Sequence, residues 1–164
     1  MIAAVVLAAG ASTRYGTAPP KQQELLPRVL AALRASVVDD VVVVTGAHDV
    51  ETDARIVQCP EWEHGPGASL RCGLAALRPE TEAAVVVLAD GPDLDHRAVD
   101  RVVAAWRYDG GDVYACTYEG IRLHPVLLAR AAWSLVPDEG ARSLAARLVE
   151  CDDLKAPGDV DEQP

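Results

Sequence analysis

Phenylalanine is missing from this 164-residue chain, and aromatic residues make up only 4% of it. Half of the residues are nevertheless hydrophobic, so the core has to be assembled from Val, Leu and Ala. Side chains of that size suit thin parallel strands covered by Ala- and Leu-rich helices, and so apolar a chain is not a disordered one. Positive charge is scarce: 15 Lys and Arg stand against 25 Asp and Glu, a formal net charge of −10. That field argues against nucleic acid or an anionic membrane as partner. A few arginines and a metal ion can still override it locally for a phosphorylated small ligand. Cysteines are few and scattered, at Cys59, Cys72, Cys116 and Cys151. Without a C-x-x-C pair neither a zinc cluster nor a redox motif is expected, and each cysteine reads as a small buried hydrophobe. Long apolar runs are lacking as well. Ile2–Ala9 is too short to span a membrane and has no basic region before it, so a cytoplasmic protein is expected.

What the chain does contain is alternation. Apolar, strand-like runs recur at Ile2–Ala8, Val41–Thr45 and Ala83–Ala89, with a weaker one at Val113–Thr117. Between them Leu26, Leu30, Leu33 and Val37 fall on one helical face, with Pro27 suited to a first turn; Leu70, Leu74 and Leu77, then Val99, Val102 and Trp106, repeat the spacing. Strand and helix in turn imply βαβ units, hence an α/β fold with a mostly parallel sheet between helix layers, in one domain over residues 1–164. His48–Arg55 is too short and polar for a full helix, and Thr117–Val126 reads as a loop or short hairpin. From about residue 156 the chain is acidic and turn-rich, and reads as a frayed tail.

The first strand stops at Gly10, and a loop of small residues with one arginine follows. A strand buried on both faces belongs to a parallel sheet, where ligands bind beyond the carboxyl ends of the strands. Gly and Ser let backbone N–H groups close on an anion, and Arg14 adds a fixed charge suited to phosphate oxygens. The loop therefore reads as a nucleotide phosphate cradle. It is not a P-loop, because Thr17 follows Gly16, and not a dinucleotide fingerprint, because Gly10-Ala11-Ser12 lacks the second glycine.

What stands there is L-A-A-G-x-S-x-R-x-G from Leu7 to Gly16, with Lys21 shortly after. This pattern resembles the signature of the MobA/MocA-like nucleotidyltransferases, the molybdenum-cofactor branch of the GT-A-like three-layer α/β/α fold. The resemblance continues in order to Asp161. Ser69-Leu70-Arg71-Cys72-Gly73-Leu74 matches the family's S-L-R-x-G-L. Leu88-Ala89-Asp90-Gly91-Pro92 is similar to L-A-D-Q-P, with Gly91 for glutamine. His124-Pro125 resembles G-H-P with Leu123 for the glycine, and Asp138–Arg142 resembles G-D-x-G-A-R with Pro137 for its first glycine. Asp159-Val160-Asp161 is similar to the terminal D-I-D-T-P without its Thr-Pro.

The resemblance implies attack by a substrate phosphate on the α-phosphorus of a nucleoside triphosphate, with release of pyrophosphate. The protein then has to hold two anions in line and neutralise charge. Backbone from Leu7, Ala8, Ala9 and Gly10 to Ser12 would cradle the triphosphate, capped by Arg14 and Lys21; Lys21 reads otherwise as a solvated lysine. Asp90 ends a buried strand and is the leading Mg²⁺ ligand, since Asp93 and Asp95 lie closer to the N-cap of the next helix. Asp161, or Asp159, would supply a second carboxylate, unless both belong to a plain acidic tail. Gly67, Ser69 and Gly73 open a helix whose positive end would face the nucleotide, although serine is also an ordinary helix starter. His124 would shape the acceptor pocket, and Arg142 would bind the acceptor's phosphate or else cap the acidic tail electrostatically. Ala9 and the S-L-R-x-G-L opening resemble the side of the family that uses CTP and a molybdopterin acceptor. GTP, a sugar phosphate as acceptor, or a non-catalytic nucleotide-binding accessory of a molybdoenzyme partner are the alternatives.

Overall fold

The computed structural model describes residues 1–10 and 21–158, the side chains of Lys21 and Gln22 excepted. Arg14, Ser12, Asp159 and Asp161 thus lie outside the described residues. Within them the elements run β1 (Ile2–Ala8), α1 (Lys21–Arg34), β2 (Asp40–Thr45), β3 (Arg55–Gln58), α2 (Pro66–Ala75), β4 (Ala83–Leu88), α3 (His96–Asp109), β5 (Val113–Tyr118), β6 (Ile121–Ala129) and β7 (Arg147–Glu150). Short 3-10 turns lie at Trp62–His64, Arg130–Leu135 and Ala141–Ser143.

The strands form one sheet in the order β3-β2-β1-β4-β6-β5-β7, with only β6 antiparallel to its neighbours. The expected mostly parallel sheet between helix layers is what the chain builds. Strand periodicity splits β1 between two cores. Ala4, Val6 and Ala8 join Leu26, Leu30 and Leu33 of α1 and Val99 and Val102 of α3; Ala3 and Val5 join Leu70 and Leu74 of α2 on the other face. Gly73 permits that second contact, because a Cβ there would stand 2.6 Å from Val5 Cγ1 and 2.8 Å from Val44 Cγ2. Helix α2 therefore lies directly on the sheet.

Several local readings change. Helix α1 begins at Lys21, so Pro27 sits inside it and not in its first turn. Val37 lies past the end of α1 and is 44% exposed, and Leu77 lies past the end of α2 but is buried. No helix joins β2 to β3, as the short polar stretch indicated. The segment after Thr117 is a hairpin with longer strands than expected. It turns through Glu119 and Gly120, both at positive φ (52° and 81°), the pairing a two-residue hairpin loop requires. Asp152 Oδ1 accepts from Glu119 N at 2.7 Å and supports that turn.

Cys59 and Cys72 are not separate hydrophobes but a disulfide, which ties the chain after β3 to α2. Cys116 and Cys151 are buried free thiols, as read. The expected tail is docked as far as Gly158. Arg101 grips Asp153 through two 2.7 Å hydrogen bonds, Leu154 is buried, Lys155 pairs with Asp93 at 3.2 Å, and Asp93 N donates to Pro157 O at 2.9 Å. Among the described residues no helix is long and apolar enough to cross a membrane.

Candidate functional site

Strands β1 and β4 are neighbours in parallel register, Leu7 beside Leu88, so their carboxyl ends open at one place. Ala89 N donates to Leu7 O at 3.0 Å and Ala47 N to Ala9 O at 3.3 Å, which fixes the start of the loop after β1 between those after β4 and β2. Leu7 is half-buried, Ala8 and Ala9 are buried, and Gly10 is exposed at the rim. This is the crevice at which an open α/β sheet binds ligands. Asp90 stands two residues beyond β4, half-buried, on the same rim. Its competing reading falls away, because the N-cap of α3 is Asp95, whose side chain accepts from Arg97 N at 2.9 Å.

On one side of this rim lies the start of α2. Gly67 and Ser69 are both buried there. Gly67 N donates to Asp138 O at 2.9 Å, and a Cβ at Gly67 would stand 1.6 Å from Pro137 O. Backbone contact alone therefore demands glycine at 67. Arg71 does not turn toward the rim. It donates to Val136 O at 2.9 Å and Asp138 Oδ1 at 2.6 Å, clamping α2 to the 136–138 loop.

On the other side lies β6. Val86 of β4 pairs with Val126, and the antiparallel register carries the first residues of β6 toward Asp90. Arg122 and His124 stand two residues apart on β6, where its pairing with β5 is irregular. Burial holds the His124 imidazole down to about 4, against the attraction of the Asp90 carboxylate, so the ring is neutral at pH 7. It can accept or donate a hydrogen bond but adds no charge. Its carbonyl accepts from Tyr118 Oη at 2.9 Å.

A cavity of about 360 Å³ opens here, lined by Leu88, Gly91 and Leu94, by Arg122, Leu123 and His124, by Arg142, and by Ala156–Gly158. His124 and Arg142 thus meet at one cavity. Arg122 is the residue that sequence reading passed over, though it stands two positions before a singled-out histidine. Gly91 packs under the docked segment: a Cβ there would be 3.1 Å from Gly158 O and 3.4 Å from Pro157 Cβ.

Asp90 brings one carboxylate to the rim, a hard oxygen donor of the kind that Mg²⁺ or Mn²⁺ takes beside substrate phosphates. Among the described residues the one cluster of three potential metal donors is elsewhere, at Cys59, Glu61 and Cys72, and its sulfurs are bonded to each other.

Residues 4–151 match the model of the MobA-like NTP transferase domain. A 2-C-methyl-D-erythritol 4-phosphate cytidylyltransferase of Roseobacter denitrificans is 31% identical over 124 residues, 65% of this chain and 53% of that one. The chain spans between 27% and 53% of the length of the curated relatives it matches. The structure superposes on a homologue of Mycobacterium tuberculosis Rv0371c from Mycobacterium sp. strain JC1, with TM-score 0.79, 28% identity and 98% and 90% of the two chains covered. It also superposes on Rv0371c of M. tuberculosis H37Rv in complex with manganese, with TM-score 0.69, 23% identity and 92% and 88% covered.

Proposed function

The chain belongs to the MobA-like NTP transferase family, and from that premise we propose that it transfers a nucleotidyl group from CTP to a phosphorylated, molybdopterin-type acceptor. An oxygen of the acceptor phosphate attacks the α-phosphorus. The bond from that phosphorus to the oxygen bridging to the β-phosphate breaks, and pyrophosphate leaves. The observation that carries this reading is the shared rim, where the end of β1 and Asp90 adjoin and the start of α2 and the Arg122–His124–Arg142 cavity flank them. A nucleotide and an acceptor have separate places there, on either side of one carboxylate.

The chain's own residues position and neutralise, because a phosphate nucleophile is already ionised and asks for no general base. Backbone from Leu7 to Gly10, continuing to Ser12, would hold the triphosphate; Arg14 and Lys21 would cap its charge. Gly67 and Ser69 would present the positive end of α2 to the nucleotide. Gly73 would act indirectly, by seating α2 on β1. Asp90, with Asp161, would hold Mg²⁺, whose charge offsets that of the phosphates when bound. The manganese complex of Rv0371c supports a divalent cation, and the Roseobacter cytidylyltransferase supports CTP as first choice.

A thermal-shift panel of CTP, GTP, ATP and UTP, each with and without Mg²⁺, tests the reading. A true ligand must raise the melting temperature by mass action. CTP with Mg²⁺ is expected to shift it most. If no triphosphate does, the transferase reading fails; if GTP alone does, the cytidylyl assignment fails.

A further inference from the structure

Among the described residues Arg122 is a charge without an ionic partner. Its two terminal nitrogens are spent on backbone, Nη1 donating to Leu144 O at 2.7 Å and Nη2 to Ala141 O at 3.0 Å. Its Nε is buried and has no hydrogen-bond partner among the described residues. Burial lowers the guanidinium's pKa from its ordinary value, and among the described residues no carboxylate forms an ion pair with it. A partly buried cation with a buried, unmatched N–H is costly unless an anion joins it. The cavity that Arg122 lines also holds Arg142, exposed and likewise without an ion pair among the described residues. The rest of its wall is largely apolar: Leu88, Leu94, Leu123, Val126 and Pro157.

We infer that Arg122 is a specificity-determining residue of the acceptor pocket: it receives an oxyanion of the acceptor, a phosphate, with Arg142 closing on it from the rim. The apolar wall then takes the body that carries that phosphate. The pocket selects a compact phosphate ester with a hydrophobic or flat body, in preference to a free sugar phosphate whose hydroxyls would meet leucines. Leu123, on the same wall, adds a large apolar side chain to it. The inference rests on the transferase reading for what the pocket is for, but not for what it binds. The charge and the wall stand whatever the reaction.

Calorimetric titration of the full chain with phenyl phosphate tests it, with benzoate and glucose 6-phosphate as separate arms and CTP with Mg²⁺ in parallel. Wild-type protein should bind phenyl phosphate more tightly than the other two. Arg122→Gln should weaken that binding about tenfold or more, the worth of a lost charge-assisted bond, while affinity for CTP changes less than about twofold. Because Arg122 also holds the carbonyls of Ala141 and Leu144, Arg122→Lys and Arg142→Gln are measured beside it. If Arg122→Gln does not fold, a loss of at least about threefold in each of these two decides for the proposal, and wild-type affinity in either decides against it. Tighter binding of benzoate would overturn the assignment of a phosphate, and tighter binding of glucose 6-phosphate that of an apolar body. Wild-type affinity in a folded Arg122→Gln variant, or no binding of phenyl phosphate at all, would overturn the whole inference. Loss of CTP binding with phenyl phosphate binding intact would instead sink the transferase reading and leave the Arg122 site standing.

Discussion

The two flanks of Asp90 are built from different materials. Toward β1 and α2 the site is backbone: strand ends, Gly10, and a Gly67 that the Pro137 carbonyl allows no side chain. Toward β6 it is side chains, Arg122 and His124 on an antiparallel strand and Arg142 from a separate turn. A backbone cradle recognises what all triphosphates share and tolerates little change in sequence. A side-chain pocket can be reset residue by residue without disturbing the sheet. The family boxes depart at Leu123 on that second flank and at Pro137, whose carbonyl meets Gly67 on the first, while the L-A-A-G loop and Asp90 between them keep the pattern.

Four changes would break or sharpen that contrast. Asp90→Asn stands on the seam and should cost most, about a thousandfold in transfer activity together with the magnesium-dependent part of the CTP thermal shift. A steady-state assay of pyrophosphate release checks it, and retention of full activity would remove Asp90 from the site. On the backbone flank, Gly67→Ala should destabilise by about 3 kcal/mol in denaturant melts, because no flexible side chain can yield where the new methyl meets a carbonyl. An unchanged midpoint would show that α2 can shift and that the cradle is less rigid than its contacts imply.

On the side-chain flank, His124 makes a pH prediction. Its folded value of about 4 lies below the ordinary 6.5, so the unfolded chain binds the extra proton first. Its contribution is fully present above pH 6.5 and is lost as pH falls toward 4, on the order of 2 kcal/mol once its partial exposure is allowed for. His124→Gln should flatten the stability profile in that window relative to wild type; parallel profiles would refute the burial argument. Smallest of all, Arg142→Gln should leave the melting midpoint within about 0.5 kcal/mol while raising the KM for the acceptor and not for CTP. A matching rise in both would mean that the two flanks are not separate pockets.

Much of the flank toward β1 was legible because its causes are local. An apolar run such as Ile2–Ala8 or Ala83–Leu88 is buried on both faces of a parallel sheet, and no other element explains it as well. Gly10 and Asp90 follow such strands directly. The edge strands were not legible, since Arg55–Gln58 and Arg147–Glu150 each pair on one side only and keep mostly exposed side chains. Pro27 misled because proline marks a first turn by tendency, whereas the start of α1 is set by tertiary contacts. Gln23 on that helix exchanges hydrogen bonds with the backbone of Glu51 at 3.0 and 2.6 Å. The Cys59–Cys72 bridge was invisible because a separation of 13 residues says nothing of distance. Arg122 did leave a signal, the alternation Arg122-Leu123-His124, but its significance lies in burial, which a sequence does not state.

The glycine at position 91 carries a lesson about inheritance. Where the resembling proteins have glutamine, this chain has no side chain, and the Pro157 ring and the Gly158 carbonyl lie over the space. The interior loop and the segment some 65 residues later have therefore been fitted to each other. Gly91→Gln alone would push that segment off Asp93 and open the cavity wall that Pro157 provides. Grafting a family box into this protein means exchanging both pieces at once, and a substitution that is harmless in a relative is a dislocation here.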